Sequence, residues 1–178
     1  MTRWTVHGEQ RVYSSYWIDL RLADVELPDG TRFPHHVVRM HRDAVGVVAI
    51  DRDRGILLLH RHRFVTDTWG WEIPAGAVDE GETLVEAAVR ETVEETGWRP
   101  GRLELIGWSY PSNGLMDQRF HYFVADGAEH VGEPSDVAEV ERVEWMPVDE
   151  VRRLLAADGL RDGLSVTGLA LALAQGRA

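Results

Sequence analysis

The chain has 178 residues, 44% of them hydrophobic, and a formal net charge of −11. That bounds it to one domain of roughly 150 residues, or one domain plus an arm, with enough apolar side chains for a sizeable core. It has no cysteine and no lysine, which excludes disulfides, thiolate chemistry, a Schiff-base lysine and a P-loop lysine. Its 30 Asp and Glu outnumber 19 basic residues, so the average surface repels nucleic acid and anionic membranes, and a polyanionic substrate needs a local cation.

Residues 1–10 are polar and no apolar run approaches the ~20 residues of a bilayer span, so a soluble cytoplasmic protein without nucleic-acid or membrane partners is expected. Residues 11–27 read as extended, with Val12, Tyr13, Ile18, Leu20 and Leu22 loosely alternating. Pro28-Asp29-Gly30 turns the chain, and Phe33–Met40 resumes as a strand. Ala44–Ile50 and Ile56–Leu59 make a hairpin about the turn 51–55, its second strand running into His60-Arg61-His62-Arg63. Ile73-Pro74-Ala75-Gly76 breaks regular structure. Thr83–Thr96 is the clearest helix, stopped by Gly97. Strands follow at Leu103–Trp108, Arg119–Ala125 and Val140–Met146, with an acidic loop over 126–138. Helices over Val148–Ala157 and Val166–Gln175 close the chain. The order fits an α/β or α+β sandwich rather than a doubly wound sheet.

The helix carries an unusual charge pattern. At about 100° per residue from Leu84, the residues Leu84, Val85, Ala88, Val89 and Val93 share one broad arc that also holds Thr92 and Thr96. Glu91, Glu94 and Glu95 cluster separately, at i,i+3 and i,i+4 spacing. Like charges so spaced repel, and the helix C-terminus disfavours anions further. A divalent cation reverses that balance, since converging carboxylates suit Mg²⁺ or Mn²⁺. Arg90 stands four residues from both Glu86 and Glu94, placed to hold carboxylates. A merely solvated acidic face is the alternative.

Gly76, five residues, Glu82, seven residues, then Arg90-Glu91-Thr92-Val93-Glu94-Glu95-Thr96-Gly97-Trp98 resembles the Nudix box at every charged and glycine position. Thr92 stands where that family prefers an aliphatic residue, and Trp98 is a conservative change at the last hydrophobic position. The resemblance implies a Nudix-type α/β/α sandwich with a mixed sheet. It implies Mg²⁺-dependent hydrolysis, with Mn²⁺ as an alternative ion, of a nucleoside diphosphate linked to another moiety. Glu91, Glu94 and Glu95 are then the expected metal ligands and Arg90 their orienting residue. The Ala75 carbonyl is a further ligand, and Glu82 is a weaker ligand or a structural partner. Trp71-Glu72-Ile73-Pro74-Ala75-Gly76 is similar to the segment preceding the box in ADP-ribose and nucleoside-diphosphate-sugar pyrophosphatases. The N-terminal hairpin is similar to their β-arm. The resemblance therefore implies a dimerising arm over residues 1–40 and a hydrolase domain over 41–178, in a homodimer.

Other roles follow from the chemistry. Hydrolysis needs a general base, reasonably carried on a mobile loop. Related enzymes carry acidic residues just before the strand ending at Trp145, which ranks Glu139 first, Glu141 second and Asp136 third; the three are alternatively metal ligands. Arg61 and Arg63 share one side of their strand at period two and suit a substrate phosphate, with surface arginines as the alternative. His60 and His62 point the other way and lack a third ligand for zinc. Trp17, Tyr16, Trp69, Trp71 and Tyr110 are aromatic candidates for stacking on a base, core packing being the alternative. Glu72 is a ligand or a turn cap, and Arg119 a substrate contact. The favoured substrate is ADP-ribose or a nucleotide sugar. The alternatives are a nucleoside triphosphate or modified nucleotide, or a non-catalytic nucleotide-binding module.

Overall fold

The computed structural model describes residues 2–136 and 138–178. The chain divides into two compact units. The first comprises Met1–Asp43 with Tyr110–Arg119, and the second Ala44–Ser109 with Phe120–Ala178.

The first unit is an antiparallel sheet in the order β1-β2-β3, built from β1 (Thr5–Ser14), β2 (Ile18–Glu26) and β3 (Arg32–Met40). The extended run expected over 11–27 is thus two strands, and the first begins within the polar start. The break between them carries no Gly or Pro. Ser15 makes it, donating its N–H to the Ile18 carbonyl at 2.9 Å while its hydroxyl accepts the Trp17 and Ile18 amides at 3.2 Å, a serine turn. Segment 110–119 pairs with β3: the Val38 amide donates to Leu115 O at 2.8 Å, and Asp117 accepts the Met40 amide at 2.9 Å.

The second unit is a seven-stranded mixed sheet between helical layers. Its strands are β4 (Ala44–Asp51), β5 (Gly55–Arg63), β6 (Thr68–Glu72), β7 (Ala75–Ala77), β8 (Trp98–Ser109), β9 (Phe120–His130) and β10 (Arg142–Met146). Its helices are α1 (Leu84–Thr96), α2 (Val148–Ala156) and α3 (Gly163–Ala174). The main order is β10-β5-β4-β9-β8, with β4 and β9 parallel. Period two sorts the apolar strands into two cores. Val45, Val47, Ala49 and Leu57 pack with Ala87 and Ala88 of α1. Val48, Ile56 and Leu58 pack with Val151 of α2 and with Leu164, Leu169 and Ala172 of α3. The result is the expected α/β/α sandwich.

One irregularity makes room for the site. β4 and β5 stay paired only at Ile50–Ile56 and Asp51–Gly55. Beyond that they part, and segment 68–77 fills the gap, joining β5 through β6 and β4 through β7. The stretch 73–76, expected to break regular structure, therefore enters a strand at Ala75. Two other strands are longer than their hydrophobic patterns suggest. β8 starts immediately after the helix stop, and β9 runs on to His130 through residues read as acidic loop.

Candidate active site

α1 begins on a capping box. Thr83 Oγ1 accepts the Glu86 amide at 3.2 Å, and the Glu86 carboxylate accepts the Thr83 amide at 2.8 Å. It ends at Gly97, whose φ of 74° is left-handed and whose amide donates to Val93 O at 2.8 Å. The buried face is Ala87, Ala88, Thr92, Glu95 and Thr96. Val85, expected on the core arc, is exposed. The small alanines let the helix approach the sheet closely, and that centres the packed face on the helix rows of Ala88 and Glu95. Thr92 is buried as expected, its hydroxyl satisfied by Ala88 O at 2.7 Å.

The three box carboxylates consequently sit at different depths. Glu95 is 4% exposed and accepts the Ala75 amide at 2.8 Å and an Arg61 guanidinium N–H. Desolvation pushes its carboxyl up to about 7, against the opposing pull of Arg61 and with a smaller push from Glu91. Glu91 is raised as well, by burial first and then by Glu94 and Asp136, while Arg90 works against the shift. Glu94 is the most exposed of the three.

Arg90 organises this end of the helix. Its Nε and Nη2 hold both oxygens of Glu82 at 2.7 and 2.9 Å, Nη1 donates to Glu91 at 2.8 Å and Glu94 at 3.0 Å, and Nη2 also reaches Ala77 O at 2.9 Å. Glu82 is held down near 2, first by Arg90 and then by the Asp79 amide, so in this state it serves as the partner that fixes Arg90. Gly76 matters for space. A Cβ there would stand 2.1 Å from the Glu91 carboxyl carbon and 2.2–2.3 Å from its oxygens, so the glycine leaves the volume that the carboxylate fills.

Among the described residues no three His, Asp or Glu side chains already converge as a metal cage. The donor chemistry nevertheless fits a hard divalent cation. Glu91, Glu94 and Glu95 offer only oxygen, burial first and neighbouring carboxylates second raise Glu91 and Glu95, and Gly76 keeps the backbone close beside Glu91. His60 pairs with Glu141 and His62 with Asp67 at 3.1 Å.

The segment after β9 returns to the helix end. The Ser135 and Asp136 amides donate to Glu94 O at 2.9 and 3.1 Å. Glu139 pairs with Arg61. Glu141 instead pairs with His60 Nδ1 at 2.5 Å, and its amide donates to His60 O at 2.9 Å. The two leading base candidates therefore face different partners, and only Glu139 is linked through Arg61 to a box glutamate.

Beside this cluster lies a cleft of about 1120 Å³, lined among others by Arg61, Arg63, Glu72, Trp69, Glu139 and Glu141. Arg61 is 5% exposed and lies between Glu95 and Glu139, so neither of its terminal nitrogens stands free for a phosphate in this state. Arg63 is half-exposed and held by the buried Glu72 at 2.6 and 3.0 Å, which makes Glu72 an arginine anchor here. Trp71 packs against His60 and the apolar core, with Arg142 4.8 Å from its ring. Trp69 lines the cleft itself, stacked on His60 at 5.5 Å. Trp17 and Arg119 belong to the first unit. There Trp17 is exposed with Arg42 5.6 Å from its ring, and Arg119 pairs with Asp43 at 3.6 Å. Sequence reasoning missed Phe64, Arg161 and Asp162 on the cleft; only the turn between β5 and β6 and the polar start of α3 could have pointed to them.

Comparisons with known proteins bear on the family and the fold. Residues 40–165 match the model for the NUDIX domain, and residues 4–38 match that for the nucleoside diphosphate sugar hydrolase N-terminal domain. The chain is 44% identical over 172 residues to the CMP-5′-(N-acetyl-N-hydroxy-3-aminopropyl)phosphonate hydrolase of Streptomyces rubellomurinus, covering 96% of this chain and 81% of that one. It is 34% identical over 141 residues to the ADP-ribose pyrophosphatase of Bacillus subtilis, covering 79% and 76%. A solved structure described as an ADP compounds hydrolase superposes with a TM-score of 0.84 at 23% identity, over 100% of this chain and 98% of that one, and shares its fold. A box with every carboxylate present, on the sandwich that the family model spans, leaves one assignment: the chain belongs to the Nudix family of pyrophosphohydrolases.

Proposed function

We propose that this hydrolase cleaves the pyrophosphate bond of a nucleotide sugar or ADP-ribose, in the cytoplasm, releasing a nucleoside monophosphate and a sugar phosphate. The observation that carries this choice is the match of residues 4–38 to a nucleoside diphosphate sugar hydrolase N-terminal domain, directly ahead of the catalytic unit. Glu91, Glu94 and Glu95, with the Ala75 carbonyl, would hold Mg²⁺ or Mn²⁺. Such ions supply charge neutralisation of the diphosphate and a site for the attacking water. Arg90 keeps Glu91 and Glu94 aimed together. Glu139 accepts the water's proton, with Glu141 and Asp136 as lesser candidates. Arg63, steadied by Glu72, meets the remaining phosphate charge, and Trp69 offers its ring to a base. Arg119 and Trp17 are further proposed substrate contacts.

The arm is proposed to join two copies of the chain. β1 is exposed along its whole length at the edge of its sheet, and Trp4, Val6, Val12, Tyr13, Tyr16 and Trp17 expose apolar surface there. Sedimentation at micromolar concentration is expected to give twice the chain mass; a monomer at all concentrations refutes this part.

A second reading rests on the 44% identity with the CMP-phosphonate hydrolase: a cytidylyl conjugate in which the distal group is joined through a phosphonate. The same assay separates them. Nucleotide sugars, ADP-ribose, a CMP-linked phosphonate and nucleoside triphosphates are offered with Mg²⁺ or Mn²⁺, and products are resolved by mass. The proposal expects a nucleoside monophosphate and a sugar phosphate with the highest kcat/KM. Pyrophosphate released from a triphosphate at greater efficiency refutes it, and preferred cleavage of the CMP conjugate selects the second reading.

A further inference from the structure

Arg61 is placed where a substrate contact is expected, yet its environment assigns it another task. It projects from β5 with its side chain 6% exposed, and it bridges a buried helix carboxylate, Glu95, and an exposed loop carboxylate, Glu139. Its Nε is buried with no hydrogen-bond partner among the described residues, so both of its ion pairs run through the terminal nitrogens. The residue opposite Arg61 on β6 is Gly70, which puts no side chain beside the guanidinium.

The loop it holds has two other anchors. The Ser135 and Asp136 amides cap Glu94 O, and the Glu141 amide donates to His60 O. Between them, the Glu139 amide closes a turn on Asp136 O at 2.9 Å. The Glu139 side chain is 64% exposed, and Arg61 is the partner that draws it toward the box. An exposed glutamate samples many rotamers unless something fixes it, and a base that wanders by an ångström loses orders of magnitude in rate.

We propose that Arg61 is a positioning residue: by tying Glu139 to Glu95 it fixes the loop carboxylate at the mouth of the cleft before substrate arrives. The catalytic half of this inference rests on Glu139 being the base, as proposed above; the tether itself does not. The two are tested separately. Residue-resolved hydrogen exchange on the metal-free protein reads the tether. Arg61→Gln is expected to speed exchange at the Glu139 amide by about tenfold or more, with Arg61→Lys in between. Glu94→Gln, which touches a box carboxylate but not Arg61, is expected to leave it unchanged. Equal protection in Arg61→Gln and the parent protein overturns the tether.

Kinetics read the consequence. Arg61→Gln is expected to lower kcat about tenfold with KM preserved, to be partly rescued by lysine, and to add nothing once Glu139→Gln is present. A rise in KM alone, or losses that multiply in the double variant, overturns positioning and returns Arg61 to phosphate binding. Full activity in Glu139→Gln removes the catalytic half through failure of the base assignment, while the exchange result still decides the tether.

Discussion

Gly76→Ala isolates the geometry of the carboxylate cluster from its chemistry. The added Cβ would lie 2.1 Å from the Glu91 carboxyl carbon, whereas non-bonded carbons rest at about 3.5–4.0 Å. The carboxylate must therefore retreat by more than about 1 Å. Because it ends a flexible side chain, the fold adjusts cheaply: overpacking costs about 1 kcal/mol at its low end, and loss of glycine's unfolded-state freedom offsets roughly half of that. A ligand misplaced by an ångström has a larger effect on catalysis, on the order of 10²-fold, or about 2.7 kcal/mol of barrier. The assay pairs thermal melting with Mn²⁺ titration calorimetry and steady-state turnover. The expected result is a melting temperature within a few degrees of the parent, weakened Mn²⁺ binding and turnover reduced about a hundredfold. A variant that binds Mn²⁺ and turns over normally would show that the position of Glu91 against Gly76 does not matter.

Three further predictions use the same assays. Gly46→Ala places a Cβ 2.6 Å from Leu164 and 2.9 Å from Ile73 in the core, so it is expected to destabilise by about 1–3 kcal/mol in urea melts with metal affinity kept; an unchanged melt refutes it. Glu139→Gln is expected to slow turnover roughly 10²-fold while Mn²⁺ affinity stays near the parent value, and a full-rate variant moves the base elsewhere. Burial raises Glu95 from 4.5 to about 7, so between those values the folded protein keeps a proton that the unfolded chain has released. The stability attached to that proton is complete below about pH 4.5 and is lost as pH rises through 7. Metal-free urea melts from pH 5 to 8 are expected to show this decline in the parent and not in Glu95→Gln; parallel curves refute it.

The sandwich and the box were legible because both rest on local signals: period-two apolar strands, a capped helix, and glycines where the chain must stop or approach closely. The site beyond the box was less so. Arg61 and Arg63 look equivalent by periodicity, yet one is buried between two glutamates and the other is half-exposed on Glu72. That difference comes from where β4 and β5 part, which no local pattern records. The helix wheel grouped Glu95 with Glu91 and Glu94, apart from the apolar arc, because it weighs hydrophobicity. The packing follows size instead, with Ala87 and Ala88 drawing the helix in and Glu95 with it. The first part of β1, residues 5–10, was hidden by its polarity: the strand is exposed on every residue and has no buried face to produce alternation.

The helix end raises a question that stability alone leaves unanswered. Three glutamates stand in its last two turns, against the dipole and against one another. The fold eases this in steps. Arg90 and Arg61 supply the two guanidinium groups, the Ala75 amide donates to Glu95, and the Ser135 and Asp136 amides satisfy the Glu94 carbonyl. Yet Glu95 and Glu91 remain raised, so the compensation is incomplete. Apolar residues of similar size at positions 61 and 95 together, with no buried charge left to offset, would serve the fold at least as well. The residual strain is what the proposed metal role accounts for: a divalent cation held by Glu91, Glu94 and Glu95 would relieve it, and the loop that caps the helix carries Glu139 to the same end.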